Sequence, residues 1–378
     1  MNTGASTGLI TWVLIDLKNL SSNLQLLQQL AGKAKMFPAV KADAYGHGAY
    51  QVVKKCLEAG YETFCVAHLE EAMDLIQSGL KARFLIMTPF LPEYAGDIVH
   101  HSCHPVVCSL EQISQLSHAA KEQNKTVRIH LKVDTGMGRV GIHPHELPLY
   151  LDIIDNTPGV VIEGIMSHYA RADEDDESYT LLQTERFRKI REASLSYGVQ
   201  YFHIANSAAL TQYPESRFNA VRPGVALYGL NPFGMKQHPA LEKLKPALEW
   251  KTRIVFLKEV PEGAGLSYGH TFITPHRMLI ATLPVGYGDG LRRILSNNME
   301  VLINGQRCPQ VGRICMDQTL IDVTKLGGRA KVGDEVTLIG RQGPVKITAE
   351  EMAQQAQTIN YEIVTGITRR VPRIFISE

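Results

Sequence analysis

Along the first two thirds of the chain, short apolar runs alternate with longer stretches in which apolar residues recur every three or four positions. The short runs read as buried strands at 36–40, 63–67, 84–87, 104–109, 127–133, 160–168, 201–207 and 218–228. Between most of them the spacing predicts helices over 50–59, 70–78, 110–123, 144–155 and 179–197. Strands and helices interleaved in this way predict an α/β fold, a (β/α)8 barrel of TIM type. Ahead of it, Leu9 to Leu17 predicts one more strand, then a leucine-periodic helix through Leu30 capped at Asn19 or Ser21. Past about Leu241 the helical spacing stops. Short strands follow at 249–260, 278–285, 300–303, 310–315, 319–323 and 335–339, with one clear helix at 349–357. The expected organisation is a barrel over residues 1–243 and a smaller, mainly β C-terminal domain over 244–378.

Barrel enzymes carry their chemistry at the C-terminal ends of the strands, and the polar candidates fall there. Lys41 ends the first barrel strand, His168 the sixth and Ser207 the seventh, Lys132 and Arg139 flank the end of the fifth, and Arg222 lies in the eighth. A lysine at such a lip can be desolvated into the neutral amine that attacks an aldehyde. An arbitrary lysine is more often a solvated surface charge. Here Tyr45 follows beside Gly46 and Gly48, and a phenol next to free backbone N–H groups can hold a phosphate.

Charge narrows the function class. Lys and Arg number 39 against 38 acids, a formal net charge of +1, so no overall field recruits nucleic acid or an anionic membrane. Met1 to Gly8 is polar, with no basic segment leading into a sustained apolar one, and no apolar run reaches spanning length. A cytoplasmic small-molecule enzyme is expected, and six scattered cysteines suit a reducing compartment. His100, His101, Cys103, His104 and Cys108 are zinc-type ligands, but no second pair with finger-like spacing follows. They read as structural, and no metal is expected. The acidic run Asp173 to Glu177 reads as a solvated loop entering a helix.

The stretch Val40-Lys41-Ala42-Asp43-Ala44-Tyr45-Gly46-His47-Gly48 resembles the pyridoxal 5′-phosphate attachment signature of the alanine racemases, and further matches run to Tyr361. The resemblance implies an isomerase that interconverts L- and D-alanine by a two-base mechanism and supplies D-alanine for peptidoglycan. It also implies that the first strand of the chain joins the C-terminal domain, so the boundary need not be a single cut. Such chemistry needs a lysine, donors for the phosphate, a partner for the ring nitrogen, and acid–base groups on both faces of the substrate Cα. Ser207 in His203-Ile204-Ala205-Asn206-Ser207-Ala208 and the backbone at Arg222-Pro223-Gly224-Val225 supply hydroxyl and N–H donors, although a serine at a strand end is by itself usually a turn residue. By resemblance Tyr45, Ser207, Gly224, Val225 and Tyr361 form the phosphate cup. Arg222 is the candidate for the ring nitrogen, because an arginine donates without surrendering its proton.

Lys41 serves one face of the Cα, and the resemblance assigns the other to Tyr268 in Gly265-Leu266-Ser267-Tyr268-Gly269, supported by His168 and Arg222. It further implies a head-to-tail homodimer with shared active sites, in which Tyr268, Cys315, Met316 and Asp317 complete the site built on the other chain's Lys41. Met316 N–H and Arg139 would take the substrate carboxylate, with Arg139 oriented by a carbamylated Lys132. Asp173, Tyr287, Arg293, Arg313 and Tyr361 match a narrow entrance. One departure is His270, where many members carry arginine. Alternatives are a serine racemase, a barrel-type pyridoxal-phosphate decarboxylase and a non-catalytic carrier. Tyr361 favours alanine, since a phenol there fills space that a hydroxymethyl would need.

Overall fold

The computed structural model describes residues 8–377. The polar N-terminal stretch discussed above lies, except for Gly8, outside the described residues. The chain divides into two compact units. One runs from Ser21 to Leu244; the other joins the chain up to Leu20 with Lys245 onward.

Strand β1 (Thr11–Asp16) belongs to the second of these. In the first, β2 (Lys35–Met36), β3 (Thr63–Val66), β4 (Arg83–Ile86), β5 (His104–Val107), β6 (Val127–Lys132), β7 (Val160–Met166), β8 (Tyr201–His203) and β9 (Ala220–Val221) follow one another. From β3 to β8 each strand pairs in parallel with the next. Parallel pairing of β2 with β9 closes the ring. The remaining joints are a parallel bridge from Ala39 to Cys65 and an Arg222 N–H to Ala205 carbonyl bond of 2.9 Å. The strands are buried along most of their length, as a parallel sheet under helices requires.

Each helix buries one stripe, such as Val52, Val53 and Cys56 in Ala49–Glu58, or Ile113, Leu116 and Ala120 in Leu110–Glu122. The expected alternation is present, with physical exceptions. Pro38 interrupts the run 36–40, so only Lys35–Met36 pairs as strand before the bridge at Ala39. The run 218–228 is strand only at β9, because Pro223 and Gly224 turn it into the 3-10 helix Val225–Tyr228. Ser207 opens the helix Ser207–Gln212 rather than ending a strand. A helix at Ala95–His100 was too short to show a period. The first helix, Leu17–Ala31, is capped not by Asn19 or Ser21 but by Asp16, whose Oδ1 accepts from Lys18 N and Asn19 N at 2.8 and 2.9 Å.

In the second unit β10 (Leu248–Arg253) pairs antiparallel with β1, which also pairs in parallel with Arg373–Ile376. Chain start and chain end therefore share one sheet. Phe256–Val260, Met278–Leu283 and Thr319–Asp322 form a second, antiparallel sheet. Val260, Leu266, Met278, Ile280 and Val311 pack as one core. Residues 310–315 are not a strand; Gln306–Pro309 pairs instead with Glu300–Ile303. No helix among the described residues is long and apolar enough to cross a membrane.

Candidate active site

At the end of the Phe37 to Val40 run the backbone does something that strand periodicity does not announce. Lys41–Gly46 is a helical turn in which Ala42, Asp43, Ala44 and Tyr45 take φ of 52, 52, 54 and 55°, the left-handed region. For L-residues that conformation costs roughly 1–2 kcal/mol each. Carboxylates hold it in place. Glu71 accepts from Ala42 N at 2.7 Å through one oxygen and from Ala67 N at 2.6 Å through the other, and Asp43 Oδ1 accepts from Ala49 N at 2.7 Å. Lys41 Nζ stands 6.0 Å from the centroid of the buried Tyr45 ring.

Around this turn the barrel mouth collects positive charge. Burial lowers the pKa of Lys41, and the charge of Arg139 lowers it further. Lys132, which closes β6, is pushed down to about 8 by burial, then by Arg222 and Arg139. Loop geometry places Arg139: the Asp134 carboxylate accepts from Gly136 N, Met137 N and Gly138 N, each at 2.8 Å, which folds the chain after β6 tightly back.

Arg222 is the hub. It is 4 % exposed, and burial brings it down to about 10, so it remains a cation at neutral pH. Its Nη1 donates to His203 Nδ1 at 2.6 Å and to the His203 carbonyl at 2.8 Å. Its Nη2 donates to the Ser167 carbonyl at 2.7 Å, and to His168 Nδ1 and the Ile204 carbonyl at 3.2 Å each. Among the hydrogen bonds of the described residues the Nε–H takes no part, so it is the donor left for a ligand. An arginine can only donate. His168 Nδ1 is therefore an acceptor, its proton sits on Nε2, and burial followed by the Arg222 charge holds its pKa well below the ordinary value.

Ser207 Oγ accepts from Gly224 N at 2.9 Å and from Ala226 N at 3.3 Å, which leaves its own hydrogen to donate elsewhere. A Cβ on Gly224 would lie 2.4 Å from Tyr45 Oη, so only glycine lets the phenol, the serine and this backbone converge. Hydroxyl donors beside clustered cations, a low-pKa lysine and an unspent arginine N–H fit a ligand with a phosphate, an aldehyde and a basic ring nitrogen. The donor set suits pyridoxal phosphate. Asp173 lies exposed in the loop 171–177, where Arg171 pairs with Glu174 at 2.6 Å.

The second unit gathers the other candidates by itself. Tyr268 sits in the turn between the paired strands Gly265–Leu266 and Phe272–Ile273, where Ser267, Gly269 and His270 all have positive φ. It is 71 % exposed. Ser267 Oγ donates to the Arg313 carbonyl at 2.6 Å, and a Cβ on Gly312 would lie 2.9 Å from both Leu266 O and Ser267 Cβ, so the Gly312–Arg313 stretch backs the tyrosine turn directly. The next residues tie in Tyr287: its N–H donates to the Cys315 carbonyl at 3.0 Å, and Gly288 N–H to that of Met316 at 2.9 Å. Arg370 joins Asp289 and Asp317 at 3.1 and 2.8 Å. Arg293 is exposed; its neighbour Arg292 pairs with Glu362 at 2.7 Å on the helix Asn360–Thr365 that carries Tyr361.

Sequence reasoning missed His203, His130 and Glu163, which lie behind Arg222. A signal was present: Glu163 and His203 are the polar residues of otherwise apolar strands, and His130 sits between the apolar Ile129 and Leu131. Of the cluster weighed as zinc ligands, His104 turns inward and donates from Nδ1 to Glu163 at 2.6 Å, while His100 and His101 pack edge to face, 4.9 Å between centroids.

Comparison with known proteins agrees with this geometry. Residues 15–232 match the family model for the alanine racemase N-terminal domain and residues 247–375 that for the alanine racemase C-terminal domain. An alanine racemase of Halothermothrix orenii is 43 % identical over 96 % of either chain, and one of Clostridium novyi is 40 % identical over 97 % of this chain and 95 % of its own. An alanine racemase structure from Clostridium difficile superposes with a TM-score of 0.92 at 35 % identity, covering 98 % of this chain and 96 % of that one. One from Bartonella henselae, described with covalently bound pyridoxal phosphate, gives 0.88 at 29 % identity, covering 97 % of this chain and 100 % of that one.

Proposed function

The chain belongs to the alanine racemase family, and from that premise we propose how its own residues interconvert L- and D-alanine. It is an isomerase, a pyridoxal-phosphate-dependent racemase acting on alanine. The observation that carries the reading is the barrel mouth: a lysine of lowered pKa beside a serine, a tyrosine and a glycine that make a phosphate cradle, with Arg222 presenting one unspent donor.

When bound, the cofactor supplies an electron-withdrawing ring that stabilises charge developing at the substrate Cα. Lys41 Nζ would hold the cofactor through its aldehyde, and the lysine amine would give or take the Cα proton on one face. Tyr45, Ser207, Tyr361 and the backbone at Gly224 and Val225 hold the phosphate. Arg222 Nε–H would donate to the ring nitrogen without protonating it, which would moderate the ring's electron demand and disfavour side reactions. The partner subunit's Tyr268 works on the other face. A phenol is a poor base near neutrality, and it gains from the N–H of a neutral His168 and the Arg222 charge behind it.

Tyr268 and Met316 are 71 % and 51 % exposed in a single chain, which supports their use in a head-to-tail homodimer, each barrel completed by the other chain's C-terminal domain. Met316 N–H and Arg139 take the substrate carboxylate, with Cys315 and Asp317 shaping that segment. Lys132, with a fraction of neutral amine near pH 8, adds CO2 and releases a proton, and the carbamate anion orients Arg139. Asp173, Tyr287, Arg293, Arg313 and Tyr361 narrow the approach to alanine. We place the enzyme in the cytoplasm, as a source of D-alanine for the cell wall.

The test is chiral chromatography of L-alanine incubated with purified protein, with and without added pyridoxal phosphate, beside L-serine and L-lysine. Accumulation of D-alanine toward an equal mixture is expected. Loss of carboxylate, or no turnover, would overturn the reading.

A further inference from the structure

Behind Arg222 a line of hydrogen bonds runs through the barrel interior, and catalysis as described above does not use it. His203 Nε2 lies 2.7 Å from His130 Nδ1, His130 Nε2 lies 3.2 Å from Glu163 Oε2, and His104 Nδ1 lies 2.6 Å from the same oxygen. Glu163 is 6 % exposed, and His130 and His203 are fully buried. Phe37 packs edge-on against both imidazoles, with centroids 6.4 and 5.5 Å away.

The direction of every proton in this line follows from its first member. Arg222 can only donate, so His203 Nδ1 accepts and its hydrogen is on Nε2. That hydrogen points at His130 Nδ1, so the hydrogen of His130 is also on Nε2, and it points at Glu163. The line ends on a carboxylate, the one group that can accept from both His130 and His104. Burial alone would raise the pKa of Glu163, but the bonds from His104 and His130 outweigh it and hold the group well below the ordinary carboxylate range.

Two local irregularities sit where the line crosses from β6 to β7. Register shifts between Ile129, opposite Ile162, and His130, opposite Gly164, so Glu163 is an extra residue in a bulge. Bulges re-aim a side chain at the expense of ladder pairing. A Cβ on Gly164 would lie 2.3 Å from His130 Nδ1, so only glycine there leaves room for the imidazole. A metal among His104, His130 and Glu163 fits less well. Ligands bound at about 2.0–2.2 Å in tetrahedral geometry stand over 3 Å apart, whereas His104 Nδ1 and Glu163 Oε2 are at a hydrogen-bond distance of 2.6 Å.

We infer that Glu163, acting through His130 and His203, is a positioning residue for Arg222: it balances the buried guanidinium, locks both imidazoles as neutral Nε2–H tautomers, and so keeps Nη1 engaged and Nε–H turned to the ligand. The inference rests on the role proposed for Arg222. Protonating either imidazole would set two donors against each other, at Arg222 and His203 or at His203 and His130. The groups facing them are Arg222, Glu163, His104, Lys132, Phe37 and Tyr201.

Nitrogen NMR of the protein labelled at its histidine rings, prepared without cofactor, tests this between about pH 5 and about pH 9, a range that spans ordinary imidazole titration. In the unsubstituted chain three histidines, His130 and His203 of the line and His168 beside Arg222, should show an unprotonated Nδ1 and a protonated Nε2 that do not titrate. Glu163→Gln keeps the shape and removes the charge; it should introduce a second tautomer or a titration in His130 or His203 and weaken pyridoxal phosphate binding by about tenfold or more. Glu163→Asp should restore both in part, and His104→Asn, which leaves the line intact, should leave the two tautomers unchanged. Titration of His130 or His203 in the unsubstituted chain, each assigned by the loss of its signals in a His130→Gln or His203→Gln variant, or a Glu163→Gln protein with unchanged spectra and affinity, would overturn the inference. A variant that does not fold leaves the unsubstituted spectrum to decide. Failure of the racemase reading shows up separately, as no D-alanine from a chain whose ring-nitrogen spectra are as described.

Discussion

Lost water and neighbouring cations both move a lysine toward its neutral amine, and Lys41 and Lys132 combine the two in different ways. Lys41 reaches solvent at the barrel mouth, while Lys132 is 6 % exposed at the end of β6. Lys41→Ala should abolish racemisation, and borohydride treatment with pyridoxal phosphate, which expels water and reduces the linkage, should add one phosphopyridoxyl group to the unsubstituted chain but not to the variant; a persistent adduct would move the attachment elsewhere. For Lys132 the folded value of about 8 lies below the ordinary 10.5, so between those values the unfolded chain binds more protons and stability rises with pH. Below about 8 both states are protonated, and folding bears the full cost of the buried charge. Lys132→Met should therefore raise the urea midpoint at pH 7 in CO2-free buffer, and lose that advantage as pH approaches 10.5. A gain independent of pH would show that charge burial is not its source. Both lysines were legible as strand-end candidates; how far burial lowers each was not, because the neighbours responsible are distant in sequence.

Between β2 and the helix Ala49–Glu58, the left-handed turn is an element held by side chains from outside it. Gly46 and Gly48 announced a tight loop, yet the residues at positive φ include, beside Asp43, two alanines and a tyrosine, which have no such preference. The turn is imposed by its partners. Glu71→Gln exchanges one accepting oxygen for a donating amide NH2, so one of the bonds to Ala42 N and Ala67 N is lost. We expect a fall in stability of about 1–3 kcal/mol and a larger proportional loss in kcat than in substrate KM, measured by denaturation and steady-state kinetics. Equal stability and activity would mean that the turn is held by its own backbone. The bulge at Glu163 teaches the same lesson for strands: a two-residue period reads which face is apolar, but not where one extra residue breaks the count.

Over the whole molecule, the residues proposed for catalysis are divided between two units of the chain, and the proposed arrangement needs two chains. Lys41→Ala and Tyr268→Phe proteins should each be inactive. Mixed under conditions of subunit exchange, they should regain up to about a quarter of full activity, since one site in each hybrid carries both native residues; no recovery despite demonstrated exchange would rule out sharing across subunits. The amino-acid sequence by itself determined the alternation that closes the barrel, the shift to short strands past Leu241, and the residue types at the strand ends. These are local properties, set by burial period and turn chemistry. Tertiary structure decided which sheet takes the first strand, which donors Arg222 still has to offer, and where the protons sit along His203, His130 and Glu163. Those depend on partners 19 to 73 residues apart in the chain, and a hydrogen bond has a direction only once both of its ends are in place.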